Sequence, residues 1–531
     1  MPQSNDGVIS ALGPGQIKDL LVAHCQSGGA TSNDINDAAM EFLIAQGQTA
    51  GTLNDRWYGY LRGLGYTGSL SDMWNYWFCV DGGDGLTNGN DIGDPGAQGF
   101  GVGICPALPA SFSIMSGTTD PASDNYGNYQ YSDGSVMAWV PKFYYKIGTG
   151  SNGLAVNVID IASTLDYATT ALANAAGYAL HRAFIDGGGE QLGFFVDKYQ
   201  CSNNSGVASS IALGNPLSTH AGHNPISALT AAPANNYAGT MDAVKGRGSI
   251  FAVTSRFIYS ALAMLSMAHG QAASATTHCA WYDAGGTTNF PKGCNDNALG
   301  DRDDATISYT TDGYSNCGKT GSGTPFAKTT HNGQACGVAD LNGNMFEASL
   351  GLVRDSGNTD FYVLKSSVAL ADLTSGSGSS NDAWGNATHL SGLYDVLTAA
   401  HITHASAWER YGNGSNQVLA EDVSGNAWAL TGLGLPKDAN AQSAGGTNLF
   451  GKDGFYEKWT ADLCVLSGGH WSASYAGVWL ATLISARTNL AQHGGFRAAC
   501  YLDMVENTRV TSAANTRVTS SGDTRVTKEP E

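Results

Sequence analysis

Hydrophobic and polar positions alternate in several ways along this chain, and each predicts a different kind of element. Between residues 16 and 80 the large apolar side chains recur at helical spacing: Met40, Phe42 and Leu43, then Trp57, Tyr60 and Leu61, then Met73, Trp74, Trp77 and Phe78. Each group follows a polar start, within Asn33–Asp37, Thr52–Asp55 or Ser69–Asp72. Asn or Ser ahead of Asp is suited to cap a helix, because its side-chain oxygen accepts from an orphan backbone N–H. The pattern predicts a small bundle of three short helices within residues 1–92. A bundle of this size often needs a partner to bury its apolar surface. The Gly/Asp/Asn run Asp81–Asn90 then reads as a linker, since its spacing fits an EF-hand poorly and no Glu closes it.

Beyond the linker the period changes. From Ser135 the run VMAWVPKFYYKIG is rich in branched and aromatic residues and predicts a strand broken by Pro141, and Gly193–Tyr199 predicts another. Thr254 to Gly270 predicts a helix capped by Thr254 and ended by Gly270. Its apolar stripe is Phe257, Ile258, Ala261, Leu262, Leu265 and Ala268, read as core. Residues 271–335, rich in Gly, Asn, Asp and Thr, predict long ordered loops. Residues 353–460 read as an elaborated insertion with one helix near Leu393–Ala400. The tail, residues 504–531, repeats N/D-T-R-V-T three times, which suggests short β pieces or an exposed tail.

Composition narrows the class. Only 13% of the 531 residues are charged and 70 are glycine, a turn-rich β or α+β composition. With 42% hydrophobic residues, 11 Trp and 23 Tyr, the chain can fill a core. A net charge of −19 repels phosphate backbones and anionic lipid heads, so nucleic acid is not expected as a partner. No apolar run approaches the roughly 20 residues that span a bilayer, and the first residues lack a signal-peptide pattern, so membrane insertion and export are not expected. The ten cysteines contain no C-x-x-C pair and are expected to be mostly free, buried thiols.

Two segments stand apart. Ser467–Cys500 is bracketed by Gly468-Gly469 and Gly494-Gly495, pairs that permit tight turns. Within it Trp471, Ala476, Gly477, Val478, Leu483, Ala486, Arg487 and Phe496 read as scaffold. The intervening His470, Ser472, Ala473, Tyr475, Leu480, Thr482, Ile484, Ser485, Leu490, Gln492 and His493 share no packing pattern and read as a solvent-facing recognition surface. Trp479 suits either a contact or a core role. Upstream, Gly337-Val338-Ala339-Asp340-Leu341-Asn342-Gly343-Asn344-Met345-Phe346-Glu347 places a turn at Asn342-Gly343 ahead of a central strand.

The GG-x-W … AGV … AR-x-N … GFRAA pattern of the first segment resembles the variable segment of proteins diversified by retroelements. The second resembles the G-x-x-D-x-x-G-N-V-W-E signature of the formylglycine-generating-enzyme superfamily, with Met345 and Phe346 in place of Val and Trp. The resemblance covers about residues 100–503 and implies an α+β, C-type-lectin-like domain over residues 93–503, following the helical bundle. It implies structural roles for Asn342, Gly343, Asn344, Glu347, Trp471, Phe496 and Arg497. In this family Asn344 and Glu347 could lie near a calcium ion.

The function it implies is that of a phage tail receptor-binding protein: one that contacts a host cell-surface receptor through residues 467–500 and other tail proteins through its bundle. A homotrimer, made in the host cytoplasm and carried in the virion tail, is the expected assembly. The alternatives are a purely structural tail component and a metal-dependent oxidase.

Enzyme chemistry is not expected. The oxidases of the superfamily need two cysteines just ahead of the G-F-R motif, and Gly468–Arg497 contains none; Cys464 and Cys500 fall outside. The pairs His220/His223 and His401/His404 have H-x-x-H spacing without an H-E-x-x-H motif, and read as surface or capping histidines. No P-loop, G-x-S-x-G elbow, Rossmann fingerprint or sugar-binding lectin triplet occurs.

Overall fold

The computed structural model describes residues 91–109, 111–285, 290–354, 360–375, 383, 390–398, 408–411, 417–437, 450–457, 462–488 and 493–502, with Arg56 and two tail strands. The three expected helices of the bundle, the Asp81–Asn90 linker, His401, His404, Leu490 and Gln492 lie outside these residues, Arg56 excepted. The protein is mixed α+β with sheet predominating, 26% strand to 16% helix.

Three strands open the domain as an antiparallel meander: β1 (Phe112–Ile114), β2 (Asn128–Tyr131) and β3 (Val136–Pro141). Pro141 ends β3, and the chain resumes as β4 (Phe143–Ile147) in a separate sheet with β5 (Ile159–Ser163) and β6 (Ala179–Leu180). The single interrupted strand read from Ser135 is therefore two strands serving two sheets. A short helix α1 (Thr170–Ala175) precedes β6, and small hairpins follow, β7 (Ile185–Asp186) with β8 (Gly189–Glu190) and β10 (Ser202–Asn204) with β11 (Val207–Ser209). Between the hairpins lies β9 (Gly193–Asp197), the second predicted strand, buried throughout.

Helix α2 (Tyr237–Lys245) and strand β12 (Ala252–Val253) lead into α3 (Arg256–Ala272), the longest helix described. Its cap is Ser255, whose hydroxyl accepts from the Ile258 N–H, and not Thr254. It runs two residues past Gly270. Every residue from Arg256 to His269 is buried, so the expected single apolar stripe is corrected: α3 packs on β5, on two strands of the second sheet and on a helix at Gly425–Gly432. An element covered on all sides carries small or satisfied polar residues on its would-be solvent face, here Ser260 and Ser266, which hydrogen-bond to backbone carbonyls. Among the described residues of 273–335 there is one short 3-10 turn, Phe326–Thr329, and otherwise loop.

The second sheet is built from β13 (Phe346–Arg354), β14 (Phe361–Leu364), β15 (Tyr394–Leu397), β16 (Trp408–Arg410), β17 (Gly454–Glu457), β18 (Leu463–Ser467) and β19 (Ala481–Ala486), with β20 (Gly494–Gly495) beside β13. Its order is β15-β14-β13-β18-β19-β17-β16, and it curls into a half-barrel. Residues 353–460, read as an insertion, supply four of these strands. The helix expected near Leu393–Ala400 is instead α4 (Leu390–Leu393), after which Tyr394 to Leu397 pairs with β14. The aromatic and branched residues of that stretch suit a strand once a partner edge is present. A further helix, α5 (Gly425–Gly432), packs on α3.

The last strand, β21 (Ala498–Cys500), inserts between β9 and β12 to complete an antiparallel six-stranded sheet, β1-β2-β3-β9-β21-β12. In the tail, Thr516–Val518 pairs with Thr524–Val526 as a small antiparallel ladder. All eight described cysteines are free and buried.

Three buried arginines tie these layers together. Arg497, just before β21, donates to both oxygens of Glu347 in β13, at 2.5 and 2.6 Å, and to the backbone carbonyls of Asp197 and Ala339. Arg247 grips Asp197 at 2.6 and 3.0 Å, and the second Asp197 oxygen also accepts from the Ala498 N–H. Arg256, at the start of α3, has no carboxylate partner in the hydrogen bonds made by its side chain. It donates to the carbonyls of Leu433, Trp479 and Leu480, and to the Ser467 hydroxyl.

Glu347 is thus committed to holding Arg497 inside the fold. A buried ion pair stabilises little against an apolar replacement, but removing one partner strands a charge and costs about 3–5 kcal/mol. Arg497→Met should lower unfolding free energy by that order in chemical denaturation, and the double variant Arg497→Met/Glu347→Leu should recover much of it. A loss below about 1 kcal/mol in the single variant would contradict this assignment.

Candidate functional site

Strand β18 ends at Gly468 and Gly469, both at positive φ, +83° and +86°. A Cβ on Gly468 would sit 2.1 Å from the Tyr259 hydroxyl oxygen, and one on Gly469 would sit 2.4 Å from the Cβ of Ala476. Conformation and space both demand glycine here. The loop that follows is pinned along its length. The Gly468 carbonyl accepts from the N–H of Gly343 and of Gly477, and the Trp471 N–H donates to Asn344 O at 2.9 Å. Asp296 and Asn297 donate to the carbonyls of Ala473 and Trp471, and Arg302 reaches those of Ser474 and Ala476. Asp453 accepts from the Trp479 N–H at 2.7 Å.

The Gly337–Glu347 segment supplies the other half of this frame. Asn344 adopts positive φ, +60°. Its side chain accepts from the Gly318 N–H and donates to Gln200, which in turn donates to Glu347. Asn342 donates to Pro291 O and accepts from Asn295. With Arg497 on both oxygens of Glu347 and Gly318 on the Asn344 oxygen, this pair has little to offer calcium, which needs several uncommitted oxygen ligands.

The side chains read as a solvent-facing surface divide sharply. Ala473, Leu480, Thr482 and Ser485 are buried, as are His470 and Trp479. Ser472, Tyr475, Ile484 and His493 are half-buried; Ser474 and Thr488, which that reading did not include, are exposed. The expectation of exposure is corrected for the buried set, for a topological reason. Strand β19 lies inside the second sheet between β18 and β17, and Trp479 stands edge-on to Phe450 at 5.5 Å. An irregular pattern of residue types is compatible with burial when a strand is covered on both faces. Of the expected scaffold, Trp471, Arg487 and Phe496 are buried.

What the fold brings together is an imidazole-rich cluster that spacing alone did not disclose. His470 and His493 stack at 3.9 Å, and Trp471 lies 4.9 Å from His493. Phe346 and Tyr475 flank His470, whose Nδ1 accepts from the Ser472 hydroxyl at 3.0 Å. Beside them runs the 218–224 loop, held by the Thr219 N–H on Gly494 O. There His223 stacks on Tyr314 at 4.0 Å, and His220 lies 6.1 Å from the same ring. His220 caps its own turn through the Gly222 N–H, as expected of a capping histidine. His223 is buried, which corrects the surface reading. The H-x-x-H spacing was the available signal; the residues that complete the cluster come from elsewhere in the chain.

Burial pushes the His470 imidazole down to about 3, with His493 adding repulsion. His493 is pushed down to about 4 by burial, with smaller contributions from His223 and His220. The stacked pair is neutral at ordinary pH, so it is an aromatic surface and not a cationic one. Among the cysteines once considered against an oxidase, Cys464 is pushed up to about 12 by burial, far from a reactive thiolate.

No protein-family model matches the chain, and no curated protein sequence does. Among the described residues no helix is long and apolar enough to cross a membrane.

The imidazoles make a pH prediction. Both hold a proton more weakly in the fold than in the unfolded chain, where the ordinary value is about 6.5. Their contribution is complete above that value and is lost as pH falls toward about 4 for His493 and about 3 for His470. Asp186 and Asp340, pushed up to about 6 by burial, act in the opposite sense. They are shared by wild type and variant, so a comparison removes them. Between about pH 7 and about pH 4.5 the melting temperature should fall less in a His470→Gln/His493→Gln variant than in wild type, and equal falls would refute the assignment.

Proposed function

We propose that the protein is a receptor-binding component of a phage tail, with a C-type-lectin-like domain of the formylglycine-generating-enzyme type presenting a recognition surface. The observation that carries this reading is the contrast inside Ser467–Cys500. Its backbone is fixed by Gly468, Gly469 and the buried Arg497–Glu347 pair, while Ser472, Ser474, Tyr475, Ile484 and His493 reach or approach the surface. The motif resemblance over Gly337–Glu347 and Gly468–Ala499 supports the same reading.

The surface proposed is narrower than the segment. Tyr475 and His493, the latter stacked on the buried His470, supply aromatic contact area at low entropic cost, and Ser472 and Ser474 supply adaptable hydrogen bonding. A trimer would raise the avidity of such a small patch by presenting several copies at once. The committed oxygens of Glu347 and the burial of Cys464 and Cys500 favour binding over catalysis.

Fluorescently labelled protein applied to a panel of bacterial cells tests this. Binding should be lost or redirected when the half-buried Ser472, Tyr475, Ile484 and His493 are replaced together, with stability falling by less than the about 3–5 kcal/mol that losing a core aromatic costs. Trp479→Ala should instead destabilise by about 3–5 kcal/mol, as expected for a core aromatic. Absence of cell binding, or binding that survives the first set of changes, would contradict the proposal.

A further inference from the structure

We propose that His223, Asp312 and Cys317 form a site for a thiophilic divalent cation of the zinc class. This inference does not depend on the receptor-binding reading. One nitrogen, one carboxylate oxygen and one sulfur, one from each residue, lie within 4.8 Å of one another. His223 belongs to the 218–224 loop. Asp312 and Cys317 face each other across the neck of a separate loop, where the Asp312 N–H donates to Cys317 O at 3.0 Å and Thr311 bridges Gly318.

The site is enclosed. The side chains of His223 and Asp312 have no solvent exposure, and Cys317 has none. His223 pairs with Asp312, its Nε2 lying 2.6 Å from Oδ2. Asn224 and the Tyr314 N–H also donate to that carboxylate. Cys317 is in no disulfide, and its contacts with Asn344 Oδ1, Gly318 O and Met345 Sδ are long, 3.4 to 3.8 Å. Its other side-chain hydrogen bond is to Asp312, inside the cluster itself, so outside the cluster it gives up only these long contacts.

The donors choose the metal. Nitrogen, sulfur and carboxylate oxygen in one cluster suit zinc, which takes three protein ligands and a water in open tetrahedral sites. A thiol disfavours calcium and magnesium, which prefer all-oxygen shells. The His223 ring is held in plane by its stack on Tyr314, 9° from parallel. Its Nδ1 is buried and has no hydrogen-bond partner, so neither tautomer is held from the far side. On binding, the Nε2 proton moves to Nδ1, the Nε2 lone pair and an Asp312 oxygen turn to the cation, and Cys317 releases its thiol proton to solvent. The charge balances as one dication in and one proton out, and the two loops become cross-linked beside His493.

Cobalt(II) titrated into the full chain after chelator treatment tests the site. A thiolate-to-cobalt charge-transfer band should rise, saturate at a single equivalent and disappear on adding zinc. Cys317→Ser should lose the band, and Asp312→Asn should lose saturation at that equivalent. The wild-type protein gives a second reading if these variants fail to fold: zinc should slow alkylation of Cys317 relative to Cys336 in partly denatured protein. No band in wild type, a band that persists in folded Cys317→Ser, or equal alkylation with and without zinc would overturn the proposal.

Discussion

Arg497 carries a full positive charge into the interior, where Glu347 meets it with both oxygens. The two residues come from the last strand region of one sheet and the central strand of the other, 150 positions apart in the chain. Neither charge could be buried alone at tolerable cost, so the pair requires that β13, β21 and the Gly337–Glu347 turn arrive together. Gln200 and Asn344 extend the pair to the 318 region, and Asn344 O then receives Trp471. The 468–480 loop is thus tethered, through a short chain of hydrogen bonds, to the most demanding electrostatic contact in the core.

Such a frame sets what can vary. The 468–480 loop makes backbone hydrogen bonds that do not depend on side-chain identity, to Asn344, Asp296, Asn297, Arg302 and Asp453. Change at Ser472, Ser474 or Tyr475 leaves these in place. Change at Ala473, Trp479 or Leu480 does not, because these side chains fill space beneath the loop. A small cavity of about 90 Å³ lies against Trp479, lined also by Met267, Trp281 and Phe290, which is far below the roughly 300 Å³ of a ligand pocket.

Much of the frame was legible in the sequence because its determinants are local. Gly468-Gly469, Asn342-Gly343 and the helical run after Thr254 each announce themselves through a turn or a period, the helix with its cap one residue later and its end two residues later than expected. The α+β class followed from the glycine content and the strand-like runs. Residues whose environment depends on distant strands were misread. Thr482 and Ser485 look like surface until β19 takes an interior place in the second sheet, between β18 and β17, where both side chains are buried. Tyr394–Leu397 looks helical until β14 offers an edge. His223, Asp312 and Cys317 carry no spacing signal, since their proximity is created by two loops that meet only in the fold.

The central claim is that a fixed frame leaves only a few positions of Ser467–Cys500 free to face a partner. Saturation mutagenesis across residues 468–500, with folding read position by position as protease resistance of the displayed full chain, measures this directly. Ser472, Ser474, Tyr475 and His493 should accept most side chains, while Gly468, Gly469, Ala473, Trp479, Leu480 and Arg497 should accept few. Free substitution at Trp479, Leu480 and Arg497, or intolerance spread evenly along the segment, would contradict it.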